Sequence, residues 1–158
     1  MVADISKYAG REQAWVKHYF LENYLDGLIQ KIASAFDHVV YVDGFSGPWQ
    51  VADEEFDATS FSIALNRLRS AKEAWKKLGR NVQVTAHLIE KSRSAFRRLE
   101  TMRERFPDIN VIPHHGDFVA YVPDFIKRIL WALLHFSDGR IARLYSISCS
   151  ISSIEPRQ

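Results

Sequence analysis

The sequence predicts an α/β fold with a doubly wound, mainly parallel sheet and helices on both faces, incomplete at its C-terminal side. Helical apolar repeats alternate with short β-branched runs along the chain, in the order α-β-α-β-α-β-α-β. Because crossovers between parallel strands are right-handed, this order favours a layered sheet. No internal repeat or linker divides the sequence, so we expect one α/β domain over residues 1–158.

The composition, with 47% hydrophobic and 25% charged residues, is that of a globular protein. The single cysteine, Cys149, excludes an internal disulfide and the thiolate clusters that hold zinc or iron–sulfur groups. Residues 1–10 lack the apolar core of a signal peptide, and no apolar stretch approaches the roughly 20 residues of a membrane-spanning helix. We therefore expect a cytoplasmic protein with no membrane partner.

The first predicted element is a helix over residues 11–36, within an N-terminal helical extension that covers residues 1–36. Its apolar stripe, with spacings of three and four, consists of Leu21, Leu25, Leu28, Ile32 and Phe36. Trp15 and Tyr19 lie one turn apart and off this stripe. The first part of the segment is therefore expected to bury a different face or to form a separate helix.

A buried strand and a long helix are predicted next. Residues 38–43 are β-branched and aromatic and are followed by a glycine, as is typical of a buried parallel strand. The loop over residues 44–57 leads to a helix that ends at Gly79, a residue suited to a C-terminal cap. The apolar stripe of this helix consists of Phe61, Ala64, Leu65, Leu68, Ala71, Trp75 and Leu78. Trp75 is thus expected to pack in the core, whereas Trp49, in the loop, is a candidate for stacking on a ligand.

Three further strands are predicted over residues 82–89, 109–113 and 141–147. The helices between them begin at Ser92 and after Asp117, where a polar side chain can cap the first turn. Each of the first three predicted strands is followed by a helix and then by another strand, as in βαβ units.

An acidic residue follows each of the first three strands: Asp43, Glu90 and Asp117. In an open parallel sheet the carboxyl ends of neighbouring strands converge on one crevice. We therefore expect these carboxylates to line one nucleotide-type site in a cofactor-binding half over residues 38–136. Glu90 is positioned to hold two ribose hydroxyls, and Asp117 to accept a hydrogen bond from the amino group of adenine. The alternatives are that these acids cap helices or pair with Lys91.

Three runs of the sequence resemble the three-Cys-motif partner protein family, TcmP: residues 41–48 (YVDGFSGP), 88–91 (LIEK) and 115–118 (HGDF). The preceding helix, with residues 19–21 (YFL) and 24–25 (YL), is part of the same resemblance. More broadly, a stretch over about residues 7–136 is similar to class I S-adenosylmethionine-dependent methyltransferases, which have a Rossmann-like fold. The resemblance implies S-adenosylmethionine as cofactor. It also implies association with a radical-SAM-like protein that carries the three-cysteine motif.

The resemblance further implies a role for each residue of the site. The loop around the methionine part of the cofactor consists of Asp43, Gly44, Phe45, Ser46 and Gly47. Glu90 is the expected ribose ligand, Asp117 the expected adenine contact, and Phe118 is expected beside the ring. Glycine at positions 44 and 47 also permits positive φ and a close approach of the main chain to a ligand.

The sequence departs from the methyltransferase pattern in its acceptor half. Such enzymes usually carry an Asp-Pro or Asn-Pro motif after the fourth strand, and this sequence has neither. Residues 140–158 form an atypical tail rich in serine and isoleucine, which suggests a chain truncated or frame-shifted after about residue 139. Trp49 stands where the family's turn has its last glycine. We therefore expect a partner subunit with a cofactor site, assign no catalytic residue, and keep a methyltransferase as the alternative.

A third alternative is a basic nucleic-acid-binding module. Residues 67–105 carry twelve Lys and Arg side chains against four glutamates, a net charge of +8, whereas the whole chain carries +2. Solvated outer faces of helices commonly have the same composition, and this is the more ordinary explanation. His114 and His115 point to opposite sides of a strand end, and no carboxylate spacing completes a metal triad, so no metal site is expected.

Overall fold

The computed structural model describes residues 12–46, 59–134 and 144–148. Within these ranges the chain forms α1 (Glu12–Phe20), a π-helical turn (Leu21–Leu25), α2 (Asp26–Ala35), β1 (His38–Asp43), α3 (Ser60–Lys77), β2 (Gln83–Glu90), α4 (Arg93–Met102), a 3₁₀ turn (Arg103–Arg105), β3 (Asn110–His115), α5 (Phe118–Leu134) and β4 (Leu144–Ser148). The predicted alternation of helices and strands is confirmed. None of the helices in these ranges is long and apolar enough to cross a membrane. Gly47, Trp49 and Cys149 lie outside the described residues, as does most of the predicted tail.

The four strands form one parallel sheet in the order β3-β2-β1-β4. β1 lies beside β2 with Asp43 opposite Leu88, and β3 lies on the other side of β2 with His115 opposite Glu90. β4 pairs with the free side of β1. Because neighbouring strands are parallel, their carboxyl ends share one edge of the sheet, here called the carboxyl edge.

Helices cover both faces of the sheet. On one face the strands pack against α2, α3 and α4 in a cluster that includes Val39, Tyr41, Val84, Ala86, Leu88, Ile29, Leu65 and Leu99. On the other face, Val40, Val42 and Ile89 pack against Phe125 of α5. Alternate residues of a strand point to opposite faces, so β1 and β2 are buried on both sides, which explains their continuous apolar sequence. The prediction of an α/β protein with a parallel sheet is confirmed.

The N-terminal helical segment is divided by the π-helical turn between α1 and α2. The buried stripe begins in this turn and consists of Leu21, Leu25, Ile29 and Ile32. Trp15 stacks on Tyr19 with ring centroids 5.3 Å apart, one turn before the stripe begins. A π-helical turn accommodates one extra residue and so rotates the face that the following helix presents. The expectation of a separate first helix agrees with this geometry.

Polar caps and a glycine set the ends of α3 and α4. The Thr59 hydroxyl accepts a hydrogen bond from the Ser62 N–H at 3.3 Å, at the start of α3. The Ser92 hydroxyl accepts from the Ala95 N–H at 3.5 Å, so the predicted start of α4 is confirmed. Gly79 follows α3 with a φ of +80°, in the left-handed region that favours glycine.

Candidate functional site

The turns after β1 and β3 are both hydrogen-bonded to the end of β2. The Ser46 N–H donates to the Ile89 carbonyl at 3.0 Å, and the Gly116 N–H donates to the Glu90 carbonyl at 3.0 Å. These bonds bring three strand ends, each with its predicted acidic residue, to the carboxyl edge. The adjacency expected from the sequence is therefore present.

Asp43 organises the turn after β1 from inside the protein. The residue is fully buried, and its Oδ1 accepts a hydrogen bond from the Phe45 N–H at 3.0 Å. The Ser46 hydroxyl donates to the Asp43 carbonyl at 2.9 Å. An aspartate that bonds the backbone two residues ahead stabilises a tight turn. In this conformation Asp43 thus shapes the backbone that a ligand would meet.

Tyr41 is a neighbour of the site that the sequence analysis does not single out. It is 1% exposed and precedes Asp43 by two residues, so both side chains leave β1 on the same face. Burial raises the pKa of the Tyr41 hydroxyl well above its usual value, and the charge of Asp43 raises this pKa further. The phenol is therefore neutral and lies buried on the same face of β1 as Asp43. The alternation of side chains along β1 is the sequence signal from which this position could have been identified.

The ring of Phe118 leaves no space for a side chain at position 44. A Cβ atom at position 44 would lie 2.6 Å from Cγ and 2.7 Å from Cδ2 of the Phe118 ring. The same ring lies tilted against Phe45, with centroids 5.9 Å apart. The φ of Gly44 is not positive, so the glycine here permits a close approach and not an unusual backbone. Phe118, the first residue of α5, makes that approach in this conformation.

Glu90 and Asp117 are both hydrogen-bonded locally, as in the capping alternative. Glu90 Oε1 accepts from the Ser92 N–H. Asp117 Oδ1 accepts from the Val119 N–H at 3.1 Å, and its Oδ2 pairs with Lys91 Nζ at 3.1 Å. The Val119 N–H bond and then Lys91 lower the pKa of Asp117. Both acids consequently help to hold the starts of α4 and α5 at the carboxyl edge.

The two adjacent histidines of β3 have different surroundings, as predicted. His114 Nε2 lies 2.9 Å from Nδ1 of His87, and the stacked rings pack against Phe125 beneath α5. His115 is exposed and contacts Phe96 at 5.1 Å between ring centroids. His87 is not among the residues predicted from the sequence, and its position inside an apolar strand is the signal that could have identified it. Within the described ranges, no group of three or more His, Cys, Asp or Glu residues is arranged to hold a metal ion.

The basic residues 67–105 divide into structural and exposed charges. Arg69 pairs with Asp108 at 2.7 Å, and Arg80 pairs with Asp37 at 2.8 Å. The first pair joins α3 to the segment before β3, and the second joins the turn after α3 to the residue before β1. The exposed bases of α4 are Arg93, Arg97 and Arg98. The exposed bases outside α4 are Lys76, Lys77, Lys91, Arg103 and Arg105, so a phosphate-binding surface would draw on α4 and on the segments on either side of it.

No protein-family model matches the chain, and no curated protein matches it. The resemblance to TcmP accordingly rests on the three sequence runs quoted above.

Proposed function

We propose that this chain is a TcmP-like protein with an adenosyl-ligand site at the carboxyl edge, and that it acts as partner subunit of a radical-SAM-like protein with the three-cysteine motif. The observation that carries the proposal is the pair of hydrogen bonds, Ser46 to Ile89 and Gly116 to Glu90, that joins three strand ends. The resemblance of residues 41–48 to the family suggests the identity of the ligand.

The strand order supports a Rossmann-like fold of the methyltransferase type. In the order β3-β2-β1-β4, the chain passes from β1 to β2 and β3 on one side and then returns to β4 on the other side of β1, and ligands of such sheets bind outside the carboxyl ends at that reversal. α3 and α4 pack on one face and α5 on the other, as right-handed crossovers in opposite directions require. S-adenosylmethionine is the cofactor that we propose for this position.

In the proposed complex, residues 43–47 surround the methionine part, Glu90 binds the ribose, and Asp117 binds the adenine beside Phe118. Both oxygens of Asp117 are already hydrogen-bonded, and in the proposed complex the adenine amino group takes the place of Lys91 at Oδ2. The side chains of this ion pair are 79% and 50% exposed, and such pairs are held weakly. The exchange therefore presents a small barrier to binding.

Calorimetric titration with S-adenosylhomocysteine tests the ligand. Replacement of Glu90 by alanine should weaken binding by about 10- to 100-fold, because charge-assisted hydrogen bonds contribute about 1.5–3 kcal/mol. Glu100→Ala, on the exposed face of α4, is the matched control and should bind like the wild type. If the wild type gives no binding heat, or if both variants bind equally, the proposal fails.

Methyl transfer is the alternative activity for the same site. The carboxyl edge suits either role, and the sequence has no Asp-Pro or Asn-Pro motif. The proposal therefore assigns binding to this chain and expects no transfer of radiolabelled methyl groups from S-adenosylmethionine to components of a cell extract. Stoichiometric labelling would instead identify an enzyme.

The exposed bases of α4 favour nucleic acid as a second candidate partner. Arg93, Arg97 and Arg98 are exposed on this helix. If they contact phosphates, affinity should fall steeply with salt, and each lost contact should reduce the slope of log K against log salt by about 0.7 to 0.9. Arg97→Glu combined with Arg98→Glu should flatten that slope. An unchanged slope would assign these charges to a solvated helix face.

A further inference from the structure

A pair of histidines lies between the sheet and α5, on the face opposite α3 and α4. Nδ1 of His87, in β2, is 2.9 Å from Nε2 of His114, in β3, and the rings are stacked with centroids 5.2 Å apart. His87 is only 9% exposed. An imidazole nitrogen accepts a hydrogen bond only when it carries no proton. The bond therefore needs at least one neutral ring, and two imidazolium rings would set donor against donor and charge against charge.

The helix α5 packs directly on this pair. Phe125 meets both rings edge-on, with centroids 5.2 Å from His87 and 6.2 Å from His114. The ring of Tyr121, one turn earlier, lies 5.0 Å from that of His114. Phe125 is the buried residue through which α5 contacts the apolar side chains of β1 and β2. Movement of either histidine ring therefore disturbs the packing of α5 on the sheet.

The strand side chains described around the pair are apolar or uncharged, apart from one further histidine. Those that share its face of the sheet are Val40, Val42, Thr85, Ile89, Asn110 and Ile112. The further histidine, His38, lies with its Nε2 2.9 Å from the Thr85 hydroxyl, towards the amino ends of the strands. Asp43 leaves β1 on the other face. A second proton on the pair would thus enter surroundings that disfavour an added charge.

The charged side chains described on α5 and at its start are paired with one another. Asp124 and Lys127 are exposed, and their charged atoms lie 3.9 Å apart. Asp117, just before the helix, pairs with Lys91. The hydroxyl of Tyr121 donates to the His115 carbonyl at 2.9 Å. The face of α5 that covers the histidines is therefore aromatic where the structure describes it.

The start of α5 depends on packing more than a regular helix does. Pro123 has no N–H and cannot give the Val119 carbonyl the hydrogen bond of an uninterrupted helix. The first turns are held from outside, by the Tyr121 hydroxyl and by the Phe118 ring against Gly44. Loss of the contacts at the histidine pair would therefore free the end of the helix that closes on the turn after β1.

We propose that the His87–His114 pair is an acid-sensitive latch for α5. At neutral pH the pair shares one N–H···N bond and α5 lies on it. Between about pH 7 and 5, where histidine ordinarily titrates, a second proton breaks that bond and places two positive charges beneath Phe125. The start of α5 is then released, Phe118 leaves Gly44, and the carboxyl edge opens. The latch acts whether or not this edge binds an adenosyl ligand.

The sign follows from the protons that each state can hold. The latched pair holds at most one proton on the two facing nitrogens and their partner rings, whereas the released rings can both become charged. Acid therefore favours release, and the equilibrium constant for opening should rise by up to about 10-fold per pH unit below the ordinary histidine pKa.

Hydrogen exchange of the α5 amides, corrected for the intrinsic effect of pH, tests the latch. Protection of residues 118–127 should fall about 10-fold between about pH 7 and about pH 5.5, whereas that of α3 should stay nearly constant. The double variant His87→Asn/His114→Gln keeps polar amides in place of the facing nitrogens but takes up no proton, so its α5 protection should not depend on pH. His115→Gln, exposed on the other face of β3, is the matched control and should behave like the wild type.

Titration of the imidazole rings by NMR, in the wild type, decides the question if the double variant does not fold. Both rings should become charged only over the pH range in which α5 loses protection. Two charged rings under a helix that is still protected would overturn the inference. So would α5 protection that is independent of pH in the wild type, the same acid response in a folded double variant, or its loss in His115→Gln.

Discussion

Replacement of Gly44 by alanine tests the contact on which the turn after β1 depends. The added Cβ would lie 2.6 Å from Cγ of Phe118, well inside the contact distance of two carbon atoms. Either the ring or the turn must move, and overpacking of this kind costs about 1–3 kcal/mol. For a chain of 158 residues, that corresponds to a fall in melting temperature of roughly 2–12 °C.

Thermal unfolding followed by circular dichroism measures this fall. Gly27→Ala is the matched control: nothing lies within 4 Å of its Cβ position, and it lies in α2. It should raise stability by about 0.5–1 kcal/mol through helix propensity. In a Phe118→Ala background, Gly44→Ala should cost almost nothing, because the ring is gone. If Gly44→Ala leaves the melting temperature unchanged, or costs the same in both backgrounds, the reasoning is refuted.

Two further predictions concern charge and hydrogen bonding away from the turn. Partial burial would raise the pKa of Asp108, but hydrogen bonds and the charges of Arg69 and Lys72 outweigh it and lower this pKa. Because the pKa of Asp108 is lower in the folded than in the unfolded protein, its carboxylate stabilises the folded state at pH values above the unfolded pKa, near 4. This stabilisation is lost as the pH falls through the folded-state pKa. Arg69→Gln should therefore reduce the loss of stability below about pH 5 in urea titrations; an unchanged pH dependence would contradict this. His87→Ala should cost about 1–3 kcal/mol in urea unfolding, against about 0.5 kcal/mol or less for exposed His115→Ala, and equal costs would refute a structural histidine pair.

Much of the fold could be predicted because its signals are local. β1 and β2 are short apolar runs that end at an acid, and burial on both faces is what such runs indicate. Ser92 and Gly79 set helix ends through bonds and backbone conformation within one turn of the chain. The adjacency of the three acids then follows from parallel strand order alone.

The details of the site could not be predicted because they join residues that are distant in sequence. From the sequence, Gly44 is predicted to let a ligand approach the backbone. In the structure, Phe118 of α5 lies against it. The partner of His114 is known only once β2 and β3 are aligned.

The most direct test of the central claim is a crystal structure with S-adenosylhomocysteine bound. The account predicts the ribose hydroxyls on Glu90, the adenine amino group on Asp117 with Lys91 displaced, and the methionine part beside residues 43–47. Ligand density at another edge of the sheet, or no ligand density at the carboxyl edge at saturating ligand, would contradict it.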